Sequence, residues 1–213
     1  MGRNAAGESF LRGFFAHSAA TEFWVQVTAT EHASHFAASA KAHGRHETVY
    51  RAEKTTLGAL AKVGMVYYPG PGIGEHAFHR AAQGHGAWSL CGITHTTSSA
   101  TAMEAITALV TSPVQPWDAV ICTSTAVQKN VERLLQAQVD YLKDRLGVSR
   151  LVLPIFPVIP LGIHTQDFAF TPSQQAAARA RLAVDENTLV VLFMGRLSFH
   201  AKAHPLAMYQ ALE

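Results

Sequence analysis

Residues 87–110 read AWSLCGITHTTSSATAMEAITALV, and this stretch decides the fold class. An apolar run, 87–94, leads into His95 and then four successive hydroxyl side chains, Thr96, Thr97, Ser98 and Ser99. An alanine-rich segment of helical texture follows. The apolar run does not alternate with polar residues, which is the pattern of a strand buried on both faces of a parallel sheet. Thr101 and Glu104 have the T-x-x-E spacing of a capping box ahead of AITALV. The stretch is therefore predicted to be a strand, a polar loop and a helix, half of a βαβ unit.

The same alternation extends in both directions. Strands are predicted at 22–28, 47–52, 64–69, 118–124, 156–161 and 188–195, with helical runs between most of them. The longest is TAVQKNVERLLQAQVDYLKDRLG, which Ser124 or Thr125 can cap and Gly147 can end. Pro172 and Pro205 suit the first turns of two further helices. Repeated βαβ units predict an α/β fold, a Rossmann-like doubly wound parallel sheet.

The texture breaks at IPLGIHTQDFAFTPSQQ, which places a domain boundary within 161–171, drawn at 165/166. Domain one, 1–165, opens on the helical FLRGFFAHS with no strand ahead of it. Domain two, 166–213, holds one strand and one helix, TLVVLFMG and the segment after Pro205. The expectation is a first domain lacking its leading strand and a second that has only begun.

Composition narrows the function classes. With 213 residues, 48% hydrophobic and 15% charged, the chain has material for an ample core. A net charge of +2, without a lysine–arginine cluster, argues against nucleic acid as a partner. Cys91 and Cys122 both lie in apolar runs and are expected to be buried free thiols, in keeping with a reducing compartment. No uninterrupted apolar run reaches membrane-spanning length, and MGRNAAGESF has no apolar signal-peptide centre.

Three stretches could carry chemistry. His95 and the hydroxyls after it sit where a parallel strand ends, suited to a sugar or a phosphate; the alternative is that they only cap backbone groups. In VLFMGRLSFHAKAHP, Gly195 ends a predicted strand, and Arg196 and Lys202 could turn toward an anion at the next helix start. The alternative there is two solvated cations on a loop. YYPGPGIGEHAFHRAA has Gly70, Gly72 and Gly74 evenly spaced, which fits neither a P-loop nor a dinucleotide fingerprint. It reads as a strand-to-helix turn whose backbone could line a cleft at Gly72. His76, His79 and His85 lack a convincing further ligand, so no metal site is expected.

GRLSFHAKAHP resembles the G-R-L-x(n)-K loop that opens the second domain of family 4, GT-B-type, nucleotide-sugar glycosyltransferases. VIPLGIHTQDFAF is similar to that family's interdomain segment, and PGP, GITHT and VICTS extend the resemblance over most of the chain from about residue 8. The lysine is followed by Ala203 where the family usually has glycine, and it stands one residue further from the arginine.

The resemblance implies a metal-independent hexosyltransferase with no cofactor, taking a nucleotide-diphosphate sugar as donor and a saccharide, lipid-linked or small-molecule acceptor. It implies that Arg196 and Lys202 contact the donor diphosphate. It makes His95 the candidate catalytic residue, and Gly195, Thr96, Thr97 and Gly72 candidate substrate contacts. It also implies a cytoplasmic protein, with peripheral membrane association left open. Members carry a late pair of glutamates spaced eight apart, which these residues do not contain, so the chain is expected to be inactive by itself. A non-catalytic Rossmann-like module pairing with a separate donor-domain chain is the alternative. An incomplete second sheet predicts exposed apolar surface, and with it a homodimer or poor solubility.

Overall fold

The computed structural model describes residues 2–193 and 205–213. The chain forms two compact units, Met1–Ile163 and His164–Glu213. In the first, α1 (Gly2–His17), β1 (Glu22–Gln26), α2 (Thr30–Ala42) and β2 (Thr48–Ala52) are followed by a 3-10 segment, Lys54–Lys62. Next come β3 (Met65–Tyr67), α3 (Ile73–Ala81), β4 (Ser89–Thr94), α4 (Ala100–Thr107), β5 (Ala119–Cys122) and α5 (Thr125–Leu146). The second unit holds a 3-10 turn, Thr165–Phe168, with α6 (Pro172–Arg181) and α7 (Pro205–Leu212).

The class is α/β, and every paired strand is parallel. Instead of one continuous sheet the described residues form two, β1–β2 and β3–β4–β5. β4 lies in the middle of the larger one, pairing Cys91 with Tyr67 on one side and with Ala119 on the other. That double pairing is why its run is apolar without alternation. The strand expected at 156–161 is reduced to two bridges beside β5, at Ile155 and Val158. Pro154, Pro157 and Pro160 remove every third amide there, so a regular ladder cannot form.

The main core packs α3, α4 and α5 against β4 and β5, with Leu90, Ile106, Val120 and Val131 almost wholly buried. On α5, Val131, Leu135, Val139 and Leu142 bury one face at helical spacing. Ser124 caps it by accepting from the Val127 amide, and Gly147 ends it at φ 66°, a left-handed conformation that suits glycine. A smaller core joins α1, α2 and β1 through Phe15, Phe23 and Ala40. Arg45 fixes its rim, donating to the carbonyls of Phe15, Ser18 and Ala20.

A buried ion pair ties the larger sheet together. Arg80 on α3 donates to both carboxylate oxygens of Asp118, at 2.6 and 2.8 Å. Asp118 also accepts from the amides of Leu90 and Gln115, and Arg80 donates to the Trp88 carbonyl. The sequence marks Asp118 only as the start of a strand. Its partner lies 38 residues away and no local pattern reveals it.

Two further expectations need correction. The cap of α4 is Ser99, accepting from the Ala102 amide, rather than Thr101 with Glu104. The helix begins two residues earlier because the backbone at Ser99 is still extended and its hydroxyl reaches the third helical amide. The strand expected at 188–195 is absent over the described 188–193. A parallel strand needs a neighbour to complete its ladder, and the described residues of this unit supply none. Among the described residues of the second unit none is buried, and Leu189 and Leu192 are 85% and 78% exposed.

Candidate functional site

Two concavities lie at the carboxyl ends of β3 and β4, and both are lined in part by the 69–72 turn. The turn's path is set by backbone geometry. The Tyr68 amide donates to the Cys91 carbonyl at 2.8 Å, extending the β3–β4 ladder one step. The Ile93 amide donates to the Gly70 carbonyl at 3.1 Å, so the chain folds back over β4 before α3 begins. Only a glycine at 92 allows this. A Cβ there would stand 2.6 Å from the Gly70 carbonyl oxygen and 2.8 Å from the Ile73 side chain. Gly92 is the positioning residue that sequence reading missed, hidden because a glycine inside an apolar strand has no local signature of what approaches it.

The larger concavity, about 310 Å³, runs from the turn residues Pro69, Gly70 and Pro71 to the loop after β4. On the loop side its wall is His95, Thr96, Ser99 and Thr101, with Ala102 and Ala105 of α4 behind them. Thr94 is wholly buried and donates to the Ile121 carbonyl, anchoring the point at which the chain leaves the sheet. His95 is half-buried and Thr96 exposed, so a rigid strand end presents an imidazole and hydroxyls to an open wall. Thr97 belongs to the same loop but is not among the lining residues.

The smaller concavity, about 220 Å³, is lined by Tyr68, Pro69, Gly70, Gly72 and His76. Gly72 lines this hollow and is not among the residues that line the one with His95. The Tyr68 and His76 rings are stacked at 3.5 Å and nearly parallel. The Tyr68 hydroxyl donates to Gln26 of β1 at 2.6 Å, and burial pushes its pKa up to about 12. It remains a neutral donor throughout the physiological range. Burial likewise raises the Cys91 thiol, leaving it protonated and unsuited to nucleophilic attack.

Gly195, Arg196 and Lys202 lie outside the described residues, so the diphosphate loop expected from the sequence has no geometry here. Among the described residues no group of three or more His, Cys, Asp or Glu side chains could hold a metal ion. Among them also no helix is long and apolar enough to cross a membrane. Comparison with protein-family models, curated proteins and solved structures returns no match.

Proposed function

We propose that this chain belongs to a sugar transferase of GT-B architecture, its first unit being the Rossmann-like, doubly wound acceptor-side domain. The observation that supports this most is the concavity at the ends of β3 and β4, walled by His95 and the hydroxyls of Thr96, Ser99 and Thr101. Parallel α/β sheets bind ligands at the carboxyl ends of their strands, and a wall of imidazole and hydroxyls over an apolar base suits a saccharide.

In the reaction, an acceptor hydroxyl oxygen forms a bond to the anomeric carbon of the donor sugar. The bond from that carbon to the diphosphate oxygen breaks, and the electron pair leaves with the nucleoside diphosphate. The acceptor proton passes to the departing phosphate oxygen or to water. Arg196 and Lys202, by resemblance, neutralise the charge that develops on the diphosphate. His95 orients the sugar and stabilises charge as the bond breaks, and it need not act as a base.

The test is saturation-transfer NMR of the methyl glycosides of glucose, mannose and N-acetylglucosamine, and of UDP-glucose, with the chain and with His95→Ala. At least one saccharide is expected to bind, and to lose roughly ten-fold in affinity in the variant, the worth of one or two hydrogen bonds. No binding across the panel, or binding indifferent to His95→Ala in a folded variant, would overturn the reading.

A further inference from the structure

The concavity walled by His95 has a charge pattern that narrows what it can hold. Among the described residues no lysine, arginine or carboxylate lines it. The scarcity is regional. Between Lys62 and Lys129 the chain carries a single lysine or arginine, Arg80, which is wholly buried and bonded to both carboxylate oxygens of Asp118. The two helices that follow β3 and β4 add carboxylates instead, Glu75 in the first turn of α3 and Glu104 on α4, both exposed.

The lining also divides by polarity. Pro69 and Pro71 of the turn and Ala102 and Ala105 of α4 are apolar and small. The Ser99 hydroxyl is partly committed, accepting from the Ala102 amide at 3.2 Å. His95, Thr96 and Thr101 supply the other polar side chains, and both threonines are exposed. At about 310 Å³ the space stands at the small end of ligand pockets, ~300–1,000 Å³, which suits one ring rather than a chain.

A charged group brought here loses water and gains no opposite charge. The start of α4 offers an anion only backbone partial charge. Hydroxyls and an imidazole, by contrast, exchange hydrogen bonds with alcohols, while prolines and alanines can cover the C–H face of a ring. Resting on the transferase reading above, we propose that the acceptor held in this concavity is an uncharged polyol of one ring with an apolar face, and that its phosphorylated counterpart is excluded. Among the acceptor kinds that the resemblance leaves open, this selects a neutral saccharide or small molecule over one whose phosphate must enter the site.

NMR titration of the isotope-labelled chain, read on the amides of 95–101 at about pH 8, where an imidazole is ordinarily uncharged, tests this. The probes are the methyl glycosides of glucose and mannose, N-acetylglucosamine, and the 6-phosphate of each. At least one neutral member is expected to shift these amides, and its phosphate to bind roughly ten-fold more weakly or not at all. Thr101→Lys supplies the missing charge and should raise affinity for that phosphate, relative to the neutral sugar, roughly ten-fold. Equal or tighter binding of the phosphate by the unaltered chain would overturn the neutral-acceptor proposal and leave the saccharide reading standing. So would a Thr101→Lys variant, folded by its amide spectrum, that gains nothing for the phosphate. If no member of either set moves 95–101, both readings fall.

Discussion

Residues 89–94, SLCGIT, and residues 189–193, LVVLF, are two apolar runs of nearly the same texture. The first became the central strand of a sheet, with four of its six residues buried. The second, over its described length, is an exposed segment with no strand structure. Strand propensity is comparable or higher in the second, which is all β-branched, leucine or aromatic. The difference is what stands beside them. β4 has β3 and β5 to complete its ladders and three helices to cover its faces, and among the described residues 189–193 has no paired neighbour. A buried strand is a property of its neighbours as much as of its residues.

The comparison breaks most directly through Asp118, the carboxylate that holds the Leu90 amide of β4. Asp118→Ala should leave the Arg80 guanidinium buried and uncompensated, costing about 3–5 kcal/mol in a denaturant melt. A loss below 1 kcal/mol would mean that the ion pair does not organise this sheet. Leucine truncation measures the contrast itself. Leu90→Ala should cost about 2–5 kcal/mol through lost burial and cavity formation, whereas Leu189→Ala should stay within about 0.5 kcal/mol. Equal losses at the two positions would show that 189–193 is packed in solution.

Gly92→Ala is a milder perturbation of the same strand. The added methyl meets backbone, which cannot swing away, so a cost of about 1–3 kcal/mol is expected. NMR shifts at Gly70 and His95 should move with it, as the turn is pushed off β4; unchanged shifts there would remove Gly92 as a positioning residue.

The smallest expected effect compares two carboxylates at low pH. Arg45, hydrogen-bonded to Glu47, lowers that carboxyl from its ordinary 4.5 to about 2. Hydrogen bonds from Thr188 and Asn187 lower Asp185 in the second unit. A carboxylate depressed in the folded state stabilises above its unfolded pKa and loses that contribution as pH falls through the folded value. For Glu47 the window runs from about 4.5 down to about 2. Glu47→Gln should therefore flatten the acid limb of the stability curve slightly, as expected for a pair near the surface. Asp185→Asn should leave the melting of the first unit untouched. An unaltered acid limb in Glu47→Gln would place the Arg45 pair among ornamental surface contacts.

Much of the first unit was legible because its signals are local. The Ser124 cap, the Gly147 stop and the 22-residue helix between them follow from residues near in sequence. The apolar, non-alternating 89–94 identifies a strand buried on both faces. His95 was visible as a polar residue at such a strand's end, but its neighbours across the concavity were not. Pro69, Gly70 and Pro71 reach it only because Gly92 lets the turn fold back, a contact between residues more than 20 apart. Thr101, expected as a helix cap, lines the concavity instead, since Ser99 takes the capping role.

The sequence by itself determined most of the helices and strands of the first unit, the 156–161 run excepted, that its strands run parallel, and where polar chemistry gathers at a strand end. Those are matters of periodicity, capping and burial pattern, all written within a few residues. Only the tertiary structure decided that, among the described residues, the strands divide into two sheets, Asp118 is held by Arg80, and 188–193 forms no strand. Each of these depends on which distant groups meet, because a ladder, an ion pair or a core face exists only when both halves are present.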